Sequence, residues 1–273
     1  MAPKFLGGAT SDRAGKDRRA LLADWMTAPD NPWFAKCFAN RIWRQFFGMG
    51  ITEAPDDVRA TNPPSNPELL DELAKKLLSY HYDMRGLVRD ICASYTYQMA
   101  TRPRDPAIVD NRNFSHAMVR RLPAEQLLDA VALVTESKVK FANLPLGARA
   151  AQVADGNSGN YFLELFGRPA RATVSVCERR DEPTLGQTLH LINGDTINSA
   201  IRAPGGRLER LAAATTPPAE VAGELYQSAY SRPPTDEEKA QIDTYMAGSP
   251  DHKTGLEDVM WSILNSKEFV FNH

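Results

Sequence analysis

The stretch FGRPARATVSVCERRDEPTLGQTLHLINGDTINSAI, residues 166–201, contains two kinds of backbone. Its first half, Phe166 to Glu182, sets Arg168, Arg171, Arg179 and Arg180 against Glu178 and Asp181. Within it Val174 and Val176 alternate with small residues, so 172–177 reads as a short extended arm; β-branched side chains fit an extended chain. The second half opens with a helix start. Thr184 follows Pro183, and Gln187 lies three residues on, the spacing of a capping box. Leu185, Leu189, Ile192, Thr196 and Ala200 then recur on one helical face, with Ile197 and Ile201 nearly opposite. A helix apolar on two sides is expected to be enclosed by others. Gln187, His190, Asn193 and Asn198 would then be partly buried and would need partners.

The same helical period runs outward in both directions. Residues 17–28 predict a short helix with Leu21, Leu22 and Trp25 inward. Asn31 and Pro32 then cap and open a second helix, on which Phe34, Phe38, Ile42 and Phe46 step by four beside Cys37. Its aromatic area predicts core; a carbohydrate-stacking platform is the sharper alternative. Gly48 and Gly50 suit its stop. Residues 52–66 read as a loop, and the pair Asp56–Asp57 as turn or cap rather than a cation site. Ser65 with Glu68 predicts another capping box ahead of Leu69, Leu70, Leu73, Leu77 and Leu78. Asp83 caps the next helix, with Leu87, Val88, Ile91, Cys92 and Tyr95 inward. Residues 101–121 form a polar, arginine-rich connection containing His116. Pro123 starts a helix through Val134, and 143–160 is loop. After a break at Pro204, Gly205 and Gly206 come helices from Arg207 and from Pro218. Two more capping boxes follow, Thr235 with Glu238 and Thr254 with Glu257, and a last stripe from Leu256 to Leu264. The predicted class is all-α: one multi-helix array with a short extended arm near 172–177. Residues 1–16 read as a linker from an upstream module and 17–273 as the helical domain, with a sub-boundary at 203–206.

CERRDEPTLGQTLHLINGDTIN (177–198) resembles the signature of the planctomycete PSD domain family. RRALLADWMTAPDNPWFAKCFANRIWRQFFGMGI (18–51), PPSNPELLDELAKKLLSYHYDMRGLVRDICASYTYQ (63–98) and LNSKEFVFNH (264–273) are similar to its opening, second block and end, in that order. The family is a domain of unknown function, found C-terminal to a second uncharacterised domain and often to a cytochrome-c-like domain. The resemblance therefore implies a helical C-terminal module of a larger exported or periplasmic protein. Its implied partners are upstream domains of the same polypeptide and a cytochrome-c-like domain. It implies no established activity.

Composition narrows the functional classes. Hydrophobic residues at 42% support a core, and a net charge of −2 supplies no drive toward nucleic acid or anionic membrane. No stretch approaches the roughly 20 apolar residues of a membrane span. Cys37, Cys92 and Cys177 form no CxxC or CxxCH, so neither a cysteine zinc site nor c-type haem attachment is expected. Cys177 lies beside Arg179 and Arg180, which would lower a thiol pKa. His81, His116, His190, His252 and His273 show no ligand spacing, and no GxSxG, HExxH or phosphate loop occurs. No cofactor or metal is expected, and no catalytic residue is identified.

The candidate ligand-binding set is Arg168, Arg171, Arg179, Arg180, Gln187, His190 and Asn193. Arginine forks match sulfate, phosphate or a carboxylated sugar. Ion pairs with Glu178, Asp181 and Glu182 account for the same arginines without a ligand. Three functions follow. The first is a non-catalytic module that packs against its neighbours. The second is an enzyme or anion- or glycan-binding domain with a site at Arg168–Asp195. The third is an accessory that docks a cytochrome-c-like domain.

Overall fold

The computed structural model describes residues 4–5, 17–55, 57–103, 110, 112–154, 156, 159–172, 182–214 and 216–272. The expected all-α class holds. The chain divides into two compact units, Met1–Val119 with His273, and Arg120–Asn272.

The first unit is built on four helices: α1 (Arg18–Thr27), α2 (Phe34–Phe47), α3 (Pro67–Ser79) and α4 (Met84–Ala93). Asp17 caps α1, and its expected inward face is only partly formed: Leu21 and Trp25 are half-buried, with Trp25 stacked on Phe5, while Leu22 is exposed. Asn31 accepts from the backbone N–H of Trp33 and Phe34, which delays the start of α2 by two residues. Gly48 ends α2 in the left-handed conformation, φ 79°, returning its N–H to the Arg44 carbonyl. On α2 the buried face is Ala35, Ala39, Ile42, Trp43 and Phe47, and it packs on Leu70, Leu73 and Leu77 of α3 and Leu87 and Ile91 of α4.

Two further expectations fail in this unit. Asn66, not Ser65, caps α3, because its Oδ1 accepts from Leu69 N–H at 2.9 Å while Ser65 N–H is bonded to the Ile51 carbonyl. Tyr95 lies beyond the end of α4 and is exposed. Asp83 does cap α4.

The second unit begins with β1 (Arg120–Arg121), which pairs antiparallel with β2 (Phe271–Asn272), Arg120 opposite Asn272. Between them run α5 (Ala124–Thr135), a 3-10 turn (Ala150–Gln152), α6 (Tyr161–Leu165), α7 (Leu185–Asn193), α8 (Asp195–Ile201), α9 (Arg207–Ala214), α10 (Pro218–Tyr230), α11 (Asp236–Gly248), α12 (His252–Leu264) and α13 (Lys267–Val270). Pro204–Gly206 forms the turn joining α8 to α9. α5 and α12 are central. Leu127, Leu128, Val131 and Val134 of α5 and Leu256, Met260, Ile263 and Leu264 of α12 belong to one cluster, together with Phe162, Phe166, Ile197, Ile201 and Leu225.

Arg207 and Arg210 of α9 both pair with Glu136, just after α5, and with Glu224 of α10. Arg232, in the α10–α11 turn, pairs with Glu238 and Glu268 and lies over the Tyr226 and Tyr230 rings. The Thr235–Glu238 capping box forms as expected. The Thr254–Glu257 box does not: Asp251 caps α12, and Glu257 pairs with Arg202.

Candidate functional site

The expected single helix 184–201 is two helices. Thr184 and Gln187 form the capping box that starts α7. Gly194 then ends α7 and begins α8 in an extended conformation, φ −73° and ψ 151°. A Cβ at Gly194 would lie 2.3 Å from the His190 carbonyl oxygen and 2.5 Å from His190 Nδ1, so only glycine fits the break.

The break decides which side of α7 meets the protein. Gln187 is 3% exposed, and its Nε2 donates to the Leu165 carbonyl at 2.9 Å while its Oε1 accepts from Thr184 N–H. His190 shares a 2.9 Å hydrogen bond between Nε2 and Thr196 Oγ1. Its ring sits edge-on to Tyr161 and Phe166 and tilted against Phe162. Burial depresses the His190 pKa, and the Asp195 charge opposes that only in part. Gln187 and His190 therefore point inward, with Leu191 packed on the core beside them. The apolar side points out: Leu185 is 75%, Leu189 53% and Ile192 39% exposed, with Tyr161 of α6 at 65%. The expectation of an enclosed helix with its leucine stripe inward is overturned. Ile197 and Ile201 of α8 are buried as expected. Asn193, expected to be partly buried, is exposed, and Asn198 donates to the Gly194 carbonyl at 3.2 Å. Trp261 Nε1 donates to the Ile192 carbonyl at 3.1 Å, tying the end of α7 to α12.

The arginines fall into two groups. Arg168 is buried. Its Nη2 donates to the Val153 carbonyl at 2.6 Å, and its Nε lies 3.5 Å from Glu125 Oε1 on α5. Arg171 is exposed, sits at φ 57°, and donates through Nη1 to the Ala154 carbonyl at 2.8 Å. The two side chains clamp consecutive carbonyls of the 153–154 backbone. Gly156 permits this approach, since a Cβ there would come 1.9 Å from the Ala170 carbonyl oxygen. Arg179, Arg180, Glu178, Asp181, Cys177 and all of the 172–177 arm but Ala172 lie outside the described residues.

Residues the sequence did not single out complete the arrangement. Glu125 balances Arg168, and Arg121 donates to the Phe166 carbonyl at 2.9 Å with its guanidinium 5.2 Å from the Phe166 ring centre. Glu125 carries no local signal, because it reaches Arg168 only once α5 and the 168–171 segment have packed. Chemically, Arg168, Arg171, Gln187 and His190 of the set make internal bonds, while Asn193 is exposed. Arg168 and Gln187 bond to backbone carbonyls, and His190 to a hydroxyl. Among the described residues no group of three His, Cys, Asp or Glu could hold a metal ion, and no helix is long and apolar enough to cross a membrane.

The family model PSD1, protein of unknown function (DUF1553), matches residues 18–246. The chain belongs to this family. No curated protein and no solved structure matches it. The matched span runs through both compact units, from the first residue of α1 into α11.

Proposed function

We propose that the chain is a non-catalytic association module that binds a neighbouring protein domain through the apolar side of α7. One observation carries this reading. α7 is inverted: its amide and imidazole are bonded inward, while Leu185, Leu189 and Ile192 face solvent. Contiguous exposed aliphatics beside an exposed tyrosine suit an interface. Covering a fully exposed leucine or isoleucine contributes about 1.5–3 kcal/mol before the cost of ordering the complex, and the partly covered Leu189 and Ile192 contribute proportionately less. The partner that best fits is a domain preceding this module in its own polypeptide. Glu164, Glu182 and Asp195 are exposed on the same elements or next to them, which favours a partner face with a basic rim. A cytochrome-c-like domain with basic residues around an apolar centre would meet the same requirement.

The test compares this chain with the longer polypeptide that includes the residues before it. The unfolding temperature of the module should rise in the longer protein, and Leu185→Glu with Leu189→Glu should cancel the rise. No rise, or a rise that the double variant keeps, contradicts the reading.

A further inference from the structure

A concave feature lies wholly within the first unit and owes nothing to α7. The N-terminal half of α2, the loop residues Thr52, Pro55, Val58–Ala60 and Asn62–Pro64 and the start of α3 line a half-open cavity of about 340 Å³, inside the usual ligand-pocket range of ~300–1,000 Å³. Its floor is fixed. Asn40 and Thr52 are buried and bonded to each other twice, Asn40 Nδ2 to the Thr52 carbonyl at 2.9 Å and Thr52 N–H to Asn40 Oδ1 at 3.1 Å. Gly50 lets the chain turn there, because a Cβ would lie 2.3 Å from the Thr52 carbonyl oxygen. The walls are apolar and stiff: Trp33 just before α2, Pro55, Pro63 and Pro64 of the loop, and Leu70 on α3. Proline fixes its own backbone angle, so such a wall loses little freedom when a ligand enters. Asn62 Nδ2 holds the loop by donating to the carbonyls of Asp57 at 2.9 Å and Ala54 at 3.3 Å.

The lining also carries charge, already balanced. Lys36 pairs with Asp71, and Arg59 donates to both oxygens of Asp57, at 2.7 and 2.6 Å. Because each charge faces an opposite one, the lining has no net excess of either sign to favour an anion or a cation. Lys36 and Arg59 offer donors, and the Asp71 carboxylate and the Asn62 amide oxygen offer acceptors. That mixture matches hydroxyl groups, each of which donates and accepts. The Trp33 indole offers a flat apolar face for the C–H side of a ring.

From this combination we infer that the cavity binds a neutral pyranose, stacked on Trp33 with its hydroxyls turned to Lys36, Asp71, Arg59 and Asn62. Free hexose and a unit of a longer neutral glycan share this chemistry. The experiment is a calorimetric titration of the whole chain. The sugars are glucose, mannose and galactose, the neutral hexasaccharides of glucose and mannose, and glucuronic acid; phenol serves as a plain aromatic probe. Saturable binding of a neutral sugar is expected. A hexasaccharide response without a monosaccharide response identifies the glycan source. Trp33→Ala should weaken binding at least tenfold. Val58→Trp tests the site without touching the core: Val58 lines the cavity yet is 52% exposed, and a larger side chain there fills the space. It should abolish binding while leaving the unfolding temperature unchanged. No saturable response to any neutral sugar, preference for glucuronic acid or phenol, or binding that survives Val58→Trp overturns the inference.

Discussion

Arg168 and Arg171 stand three residues apart, and their surroundings give them different weights. Arg168 is buried with Glu125 and the Val153 carbonyl, so its removal leaves a largely buried carboxylate and an unpaired carbonyl. Arg168→Ala should cost about 3–5 kcal/mol in urea unfolding. Arg171 holds its carbonyl from the surface, and Arg171→Ala should change stability by no more than about 0.5 kcal/mol. Equal costs would mean that the clamp on residues 153–154 is not built as described. Glu238 supplies the pH dependence. The Arg232 guanidinium, which donates to both its oxygens, lowers its pKa from 4.5 to about 2. A depressed carboxylate stabilises the fold above its unfolded pKa, and this contribution is lost as pH falls through the folded value. The unfolding temperature should therefore drop between pH 4.5 and about 2. In Glu238→Gln, measured by circular dichroism, the drop over that window should be shallower.

Elements show what a periodic sequence can and cannot say. The Thr184–Gln187 and Thr235–Glu238 boxes, the start of α10 at Pro218 and the inward stripe of α12 are local, and each was readable from a few neighbouring residues. Caps were misread where two candidates compete within four residues. Asn66 displaces Ser65, and Asp251 displaces Thr254, because both competitors carry an oxygen that can reach an N–H of the first helical turn. α7 fails for a different reason. The 3.6-residue period shows that Leu185, Leu189 and Ile192 share a side, but not which way that side points. The direction is set by the Leu165 carbonyl, Thr196 and Trp261, none of them on α7. The break at Gly194 is equally non-periodic, since it depends on how close the His190 carbonyl lies. Gly194→Ala should cost about 1–3 kcal/mol through that overlap, read as a lower urea midpoint. An unchanged midpoint would show that α7 and α8 can shift at little cost.

At the scale of the molecule, each unit has its own apolar cluster. Leu77, Leu87 and Ile91 anchor the first, and Leu127, Met260 and Leu264 the second. Leu77→Ala should cost about 2–5 kcal/mol and raise amide exchange through α2, α3 and α4, while α5 and α12 keep their protection. Faster exchange in α5 and α12 as well would show that the two cores unfold as one. The all-α class was readable throughout because both units are made of amphipathic helices. The candidate site was readable only as a list. Gln187 was marked as needing partners and Arg168 was set against the acids of its own stretch, but Glu125 and the Val153 and Leu165 carbonyls that they meet come from segments that only folding brings near.

The account rests on the orientation of α7, and urea unfolding of Leu189→Glu beside Gln187→Ala tests it most directly. Leu189 faces solvent and Gln187 is bonded inward, so Leu189→Glu should leave stability within about 0.5 kcal/mol. Gln187→Ala should lower it by about 1–3 kcal/mol, because it strands the Leu165 carbonyl and the Thr184 N–H. The reverse pattern, a costly Leu189→Glu and a neutral Gln187→Ala, would place the leucines in a core and contradict the proposed surface.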